Sequence, residues 1–229
     1  MTKKEKEEKE NRKSLPIVLF ALGFLVIGGV SLAFFSDILL GEADVTAGSL
    51  DLQPATEGQD PIQFFLNGSS TAMTDPSIAN FNPGDCVLVK GNAKNDGNKS
   101  AWVRSTIKLD GINGTTFTND AVKIAVGNHT LDETGVTWTS INSMSDGIST
   151  TPVILNGTGT AAETETGGLS AYNADAFTIC FDPEATNEQQ LKTADFDVRI
   201  EAVQYRNNNT GTVDWSDAKD MEAEFTAGS

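Results

Sequence analysis

Histidine is almost missing from this chain: His129 is the only one in 229 residues. An H-E-x-x-H zinc site needs two imidazoles on one helical face, so that chemistry is excluded. Basic residues are scarce as well, with 16 Lys and Arg against 32 Asp and Glu and a net charge of −16. Such a surface repels nucleic acid and anionic lipid, and suits a salty or cation-rich exterior where the charge is screened. Cysteine is limited to Cys86 and Cys180. They match no metal-ligand spacing and leave either a disulfide or two buried thiols, the disulfide being favoured if the chain is exported. G-x-S-x-G, a phosphate-binding glycine loop and C-x-x-C are all absent. No catalytic residue, metal or cofactor is therefore assigned. The acidic cluster Asp214, Asp217, Asp220, Glu222 and Glu224 lacks the spaced loop of an EF-hand, and a solvated acidic surface is expected there.

What the chain does have is one long apolar run. Residues 1–14 are charged and without apolar periodicity, and Leu15 to Ala33 follows with no charge over 19 residues. That is long for the core of a signal peptide and just enough for a membrane span. Ser31 and Ala33 form an S-x-A site, so cleavage after Ala33 by signal peptidase is expected; retention as an anchor is the alternative. Removal of residues 1–33 leaves 10 basic against 28 acidic residues.

The next stretch, residues 34–48, is an arm without a core of its own. Phe34, Phe35, Ile38, Leu39, Leu40, Ala43 and Val45 are too many apolar side chains for a solvated tail, and Gly41 and Gly48 interrupt it. A lone strand has neither ladder partners nor a core. Two solutions exist: the arm becomes the first strand of its own domain, or it adds to an exposed sheet edge in another copy.

Residues 49–229 read as one all-β domain, a β-sandwich, in which short β-type runs alternate with turn signals. Strands are expected at 49–53, 62–66, 86–95, 101–110, 121–126, 152–156, 175–181 and 195–205. Asp96-Gly97-Asn98 reads as a hairpin turn between the third and fourth. In the last strand Phe196, Val198, Ile200 and Ala202 alternate with Asp197, Arg199, Glu201 and Val203, so it is half-buried. Between Gly127 and Gly168 the Thr/Ser/Gly/Asn-rich sequence suggests an elaborated loop region with weak strands. Six N-x-S/T sequons make Asn67, Asn98, Asn113, Asn128, Asn156 and Asn208 candidate N-glycosylation sites.

Four ordered features carry a family resemblance. They are the apolar leader running into Ala33-Phe34-Phe35-Ser36-Asp37; Thr46-Ala47-Gly48-Ser49-Leu50-Asp51-Leu52; Asn82-Pro83-Gly84-Asp85, followed by a strand and Asn95-Asp96-Gly97-Asn98-Lys99-Ser100; and Asp182-Pro183-Glu184-Ala185-Thr186-Asn187-Glu188, leading into Glu201-Ala202-Val203-Gln204. Over roughly residues 30–206 the chain resembles the TasA and camelysin family of exported fibre proteins. The resemblance implies a jelly-roll sandwich, export with N-terminal cleavage, and homopolymeric extracellular filaments in which the mature N-terminal segment of one subunit completes the sheet of the next. The membrane would be touched only through the leader before cleavage. Camelysin-like proteins also raise a metallopeptidase reading, which the lone His129 disfavours. A membrane-anchored monomeric surface or adhesion protein is the other alternative.

Overall fold

A computed structural model describes residues 48–110, 117, 121–144, 147–189, 191–208 and 212–228, which belong to one compact unit spanning Gly48–Ser229. Ala33, the arm residues Phe34, Phe35, Ile38, Leu39, Leu40, Ala43 and Val45, and the sequon at Asn113 lie outside the described residues. The unit is all-β. Its strands are β1 (Leu52–Pro54), β2 (Ile62–Leu66), β3 (Ser77–Ile78), β4 (Cys86–Asn95), β5 (Ala101–Leu109), β6 (Val122–Val126), β7 (Thr139–Ser140), β8 (Ile148–Ser149), β9 (Val153–Leu155), β10 (Tyr172–Phe181), β11 (Thr193–Gln204) and β12 (Lys219–Gly228).

Two sheets result. The first has the order β1-β4-β10-β6-β7, with β2 also pairing β4, and the second has the order β3-β12-β11-β5-β8, with β9 also pairing β5. All pairings are antiparallel except β3 with β12. Alternation dictates which faces meet. Ala194, Phe196, Val198, Ile200 and Ala202 of β11 are buried, while Asp195, Asp197, Arg199 and Glu201 between them are half-buried. One core joins both sheets: Val87, Val89, Phe177 and Ile179 from the first pack with Ile107, Phe196, Val198 and Phe225 from the second. Phe64 of β2 stacks on Phe225 of β12, ring centroids 5.2 Å apart.

The disulfide forms. Cys86 at the start of β4 faces Cys180 near the end of β10 in register, with Cα atoms 4.1 Å apart. It ties two neighbouring strands of the first sheet and closes a loop spanning a sequence separation of 94 residues.

Two local expectations are corrected. Asp96-Gly97-Asn98 is not a hairpin turn, because β4 and β5 belong to different sheets; the segment is a corner that carries the chain from one sheet to the other. The first strand is also shorter than expected. Ser49 and Asp51 bond to that corner, and ladder pairing begins only at Leu52 opposite Asn95.

Candidate functional site

Two neighbouring features stand out: the corner that binds the first described residues and an open sheet edge beside it. Asn95 is fully buried, and its Oδ1 accepts from the backbone N–H groups of Asp51 (3.2 Å) and Gly97 (3.0 Å) while its Nδ2 donates to the Lys99 carbonyl (2.6 Å). A buried amide is stable only when its polar atoms are satisfied, so the corner can take few other shapes. Asn98 grips Ser49 from both sides: Asn98 N–H donates to the Ser49 carbonyl at 3.0 Å, and Ser49 N–H donates to Asn98 Oδ1 at 2.8 Å. Asp96 N–H donates to the Asp51 carbonyl (2.7 Å), and Gln204 Nε2 donates to that of Gly48 (2.9 Å). A Cβ on Gly97 would lie 2.2 Å from the Ser49 carbonyl oxygen, so only glycine lets the entering chain approach this closely. Residues 48–51 are thus held at one end of the sheets, leading into β1. At this end, Gly48, Leu50, Val203, Asp214 and Lys219 help to line a cavity of about 510 Å³.

Electrostatics reinforce the corner. Lys94, bonded to Asp96 at 2.8 Å, together with the Thr158 hydroxyl holds the Asp96 carboxyl below the usual aspartate range, with burial opposing in part. Glu163 is lowered likewise, first by its bond to Lys99.

The open edge belongs to β12. Its inner side pairs with β11 along the whole strand, Ala202 with Lys219 through Thr193 with Gly228. On the outer side only Thr226 and Ala227 have a ladder partner, β3, so among the described residues Lys219–Phe225 presents an edge without one. Across the seam lie β1 and β2, the edge of the other sheet. Leu52, Met73, Met221 and Ala223 are only partly buried against the core there. Ile62, Phe64, Met73 and Ala223 contribute to a cavity of about 460 Å³ in the same seam. Met73 N–H donates to the Phe64 carbonyl and Thr226 N–H to that of Pro76, and Ala72, Met73, Thr74 and Pro76 of the segment after β2 line this cavity together with Glu222, Ala223 and Glu224.

All five residues of the acidic cluster are exposed, as a solvated acidic surface requires, and Asp220 and Glu222 on this edge also join an ion-pair network. Arg199 on β11 contacts Asp197 (2.8 Å), Asp220 (3.0 Å) and Glu222 (3.2 Å). The hydrogen-bonded Asp197 carboxylate pushes the guanidinium further above its ordinary value, burial offsetting part of this. Asp214 accepts from Ser216 N–H instead, at 3.0 Å.

On the other sheet, burial would raise the Asp182 carboxyl, but its bond to Lys123 and the Glu184 N–H outweigh burial and hold it below the ordinary value. A depressed carboxyl contributes stability that is present above its unfolded-state pKa, near 3.9 for aspartate, and lost as pH falls through the folded value. Lys123→Met removes the lowering partner. Acid unfolding followed by circular dichroism should then begin at higher pH than in the wild type, the loss of stability being fully present at pH 7 and shrinking as pH falls through the folded value of the wild-type carboxyl.

The remaining expected residues are scattered. His129 sits half-buried between the Glu133 carboxylate (3.0 Å) and the Val126 carbonyl (2.9 Å). Asn67 and Asn128 are exposed at the rim of a cavity of about 970 Å³ on the outer face of the first sheet. Asn98, Asn156 and Asn208 are half-buried elsewhere. No group of three His, Cys, Asp or Glu side chains among the described residues is arranged to hold a metal ion. Met221, Ala223 and the β12 edge were not visible in sequence; the alternation of Met221, Ala223 and Phe225 with Asp220, Glu222 and Glu224 was the available signal.

No family model matches the chain. No curated protein matches it either. Among solved structures the chain is similar to AvmM, described as catalysing macrocyclization in alchivemycin A biosynthesis, at 11% identity and a TM-score of 0.32 over 75% of this chain and 90% of that one. A likeness that distant carries no argument about activity.

Proposed function

We propose that the chain is a non-enzymatic structural subunit of an extracellular filament. Its unit is a jelly-roll-like β-sandwich, and residues 34–45 of one exported copy add as a donor strand to the β12 edge of the next. The observation that supports this reading is that Lys219–Phe225 has no outer ladder partner among the described residues, with half-buried Met221 and Ala223 on that edge. In extended form the arm places Phe35, Leu39, Ala43 and Val45 on one face, with Asp37 and Gly41 between them, so one side suits an apolar seam. Ladder bonds worth about 0.5 to 1.5 kcal/mol each would act together with about 1.5 to 3 kcal/mol for each large apolar side chain fully buried. Cleavage after Ala33 frees the arm from the membrane and so triggers assembly. No cofactor takes part, and the partner is another copy of the chain.

One observation favours a second reading. Gln204 holds Gly48 near the start of β12, close enough for the arm to return along its own seam and leave a membrane-anchored or secreted monomer. Mixing separates the two. Protein lacking residues 34–45 retains a seam but has no arm; Ala223→Arg retains an arm, and its guanidinium obstructs the seam. Each alone should be monomeric by light scattering, and the mixture should give a one-to-one dimer. If the mixture stays monomeric while the wild type also runs as a monomer, the arm is satisfied within its own chain.

A further inference from the structure

The six sequons are not equivalent once folded, and the geometry points to Asn67 and Asn128 as the N-glycosylated positions, with the attached sugars lying over the cavity on the outer face of the first sheet. Leu66 to Ser69 form a type I′ turn: Ser69 N–H donates to the Leu66 carbonyl at 2.9 Å, and Asn67 and Gly68 have φ of 49° and 71°. The turn projects Asn67 into solvent at the edge of the sheet. Its amide already has structural duties, Nδ2 donating to Asp85 Oδ1 (2.8 Å) and Oδ1 accepting from Cys86 N–H (2.8 Å). The product of glycosylation keeps the carbonyl oxygen for Cys86 and one N–H that can still donate to Asp85. Asn128 is in the same position: its Nδ2 makes one bond, to Asp175 at 3.2 Å, and the residue is exposed.

The floor between them is apolar in an otherwise charged exterior. Phe65, two residues before Asn67 and on the same side of the strand, lines the cavity with Leu88, Leu131 and Pro183. Lys90 sits 5.2 Å from the Phe65 ring centroid, and the ring is half-buried, so a further flat apolar surface can still pack there. The C–H face of a pyranose has that shape, and attachment at Asn67 would hold it in place without a separate binding cost.

The other described sequons are half-buried. Asn156 Oδ1 accepts from the Ser100 hydroxyl and from Glu165 N–H, both at 2.9 Å, and a Cβ on Gly168 would come within 2.6 Å of Asn156 Nδ2. A sugar on that nitrogen has no room. Asn208 and Asn98 differ from Asn67 and Asn128 in exposure: both are half-buried, where Asn67 and Asn128 are exposed.

The covalent step needs a lipid-phosphate-linked oligosaccharide and a transferase. The bond from sugar C1 to phosphate oxygen breaks, C1 bonds to Nδ2, the lipid phosphate leaves with the electron pair, and Nδ2 gives up one proton to a base on the transferase. This inference rests on export but not on polymerisation.

The test is peptide mass mapping of the protein recovered outside its own cells. Glycan mass is expected on the peptides carrying Asn67 and Asn128 and none on that carrying Asn156. Ser69→Ala should lower the intact mass by one glycan while leaving the Asn67 bonds to Asp85 and Cys86, and Ser69→Thr should retain it. An unmodified Asn67 in the exported wild type, or a glycan on Asn156, overturns the assignment. Filament formation by Ser69→Ala protein would leave the donor-strand reading standing, so the two proposals fail separately.

Discussion

Deletion of residues 34–45 should leave an exported, folded protein that no longer polymerises. The compact unit spans Gly48–Ser229, and among the described residues its core begins at Leu50 and is drawn from strands of both sheets. The shortened chain therefore keeps its disulfide, its corner and both sheets. On the donor-strand proposal, what it loses is the set of apolar side chains that would cover Met221, Ala223 and the β12 edge of a neighbour. Negative-stain microscopy of shed material should show filaments for the wild type and none for the deletion, with circular dichroism spectra of the two alike. Filaments of normal length from the shortened chain would rule out the donor strand, and an unfolded product would mean that the arm belongs to its own core.

The second large effect is expected at the disulfide. In the chain-entropy model a link across a sequence separation of 94 residues lowers the entropy of the unfolded chain enough to stabilise the fold by roughly 4 to 5 kcal/mol. For a domain of this size that corresponds to a fall in Tm of about 10 to 20 °C when the link is removed. The pair Cys86→Ala and Cys180→Ala is the appropriate variant, because Cys180 is fully buried and a serine hydroxyl there would need a partner. Urea unfolding should show a lower midpoint together with a larger m value, since an unlinked unfolded chain exposes more surface. A loss below about 1 kcal/mol would mean that neighbouring pairs of β4 and β10 hold the register in the unfolded state as well, and that the entropic account fails here.

The two sites differ in how they could be found. Cys86 and Cys180 stand out in a chain with no other cysteine, and their partnership needs only an oxidising exterior. The β12 edge hides in an acidic tail. Lys219, Asp220, Glu222 and Glu224 are poor strand formers, and local preference alone argues against a strand there. It forms because β11 supplies a ladder partner for each of its ten residues and because Phe225 and Ala227 reach the core between the sheets.

Sequence alone determined that the unit is all-β, placed β2 at Ile62–Leu66 and β4 at Cys86–Asn95, and assigned the buried face of β11, since period-two alternation and turn residues are local properties of the chain. Only the tertiary structure decided that Asp96-Gly97-Asn98 turns between sheets and not within one. The same residues suit either geometry, and the choice was made by Ser49, Asp51 and Gly157, which are distant in sequence and bond or pack against the corner. The open seam is likewise a property of two edges brought together by folding, so no run of consecutive residues could announce it.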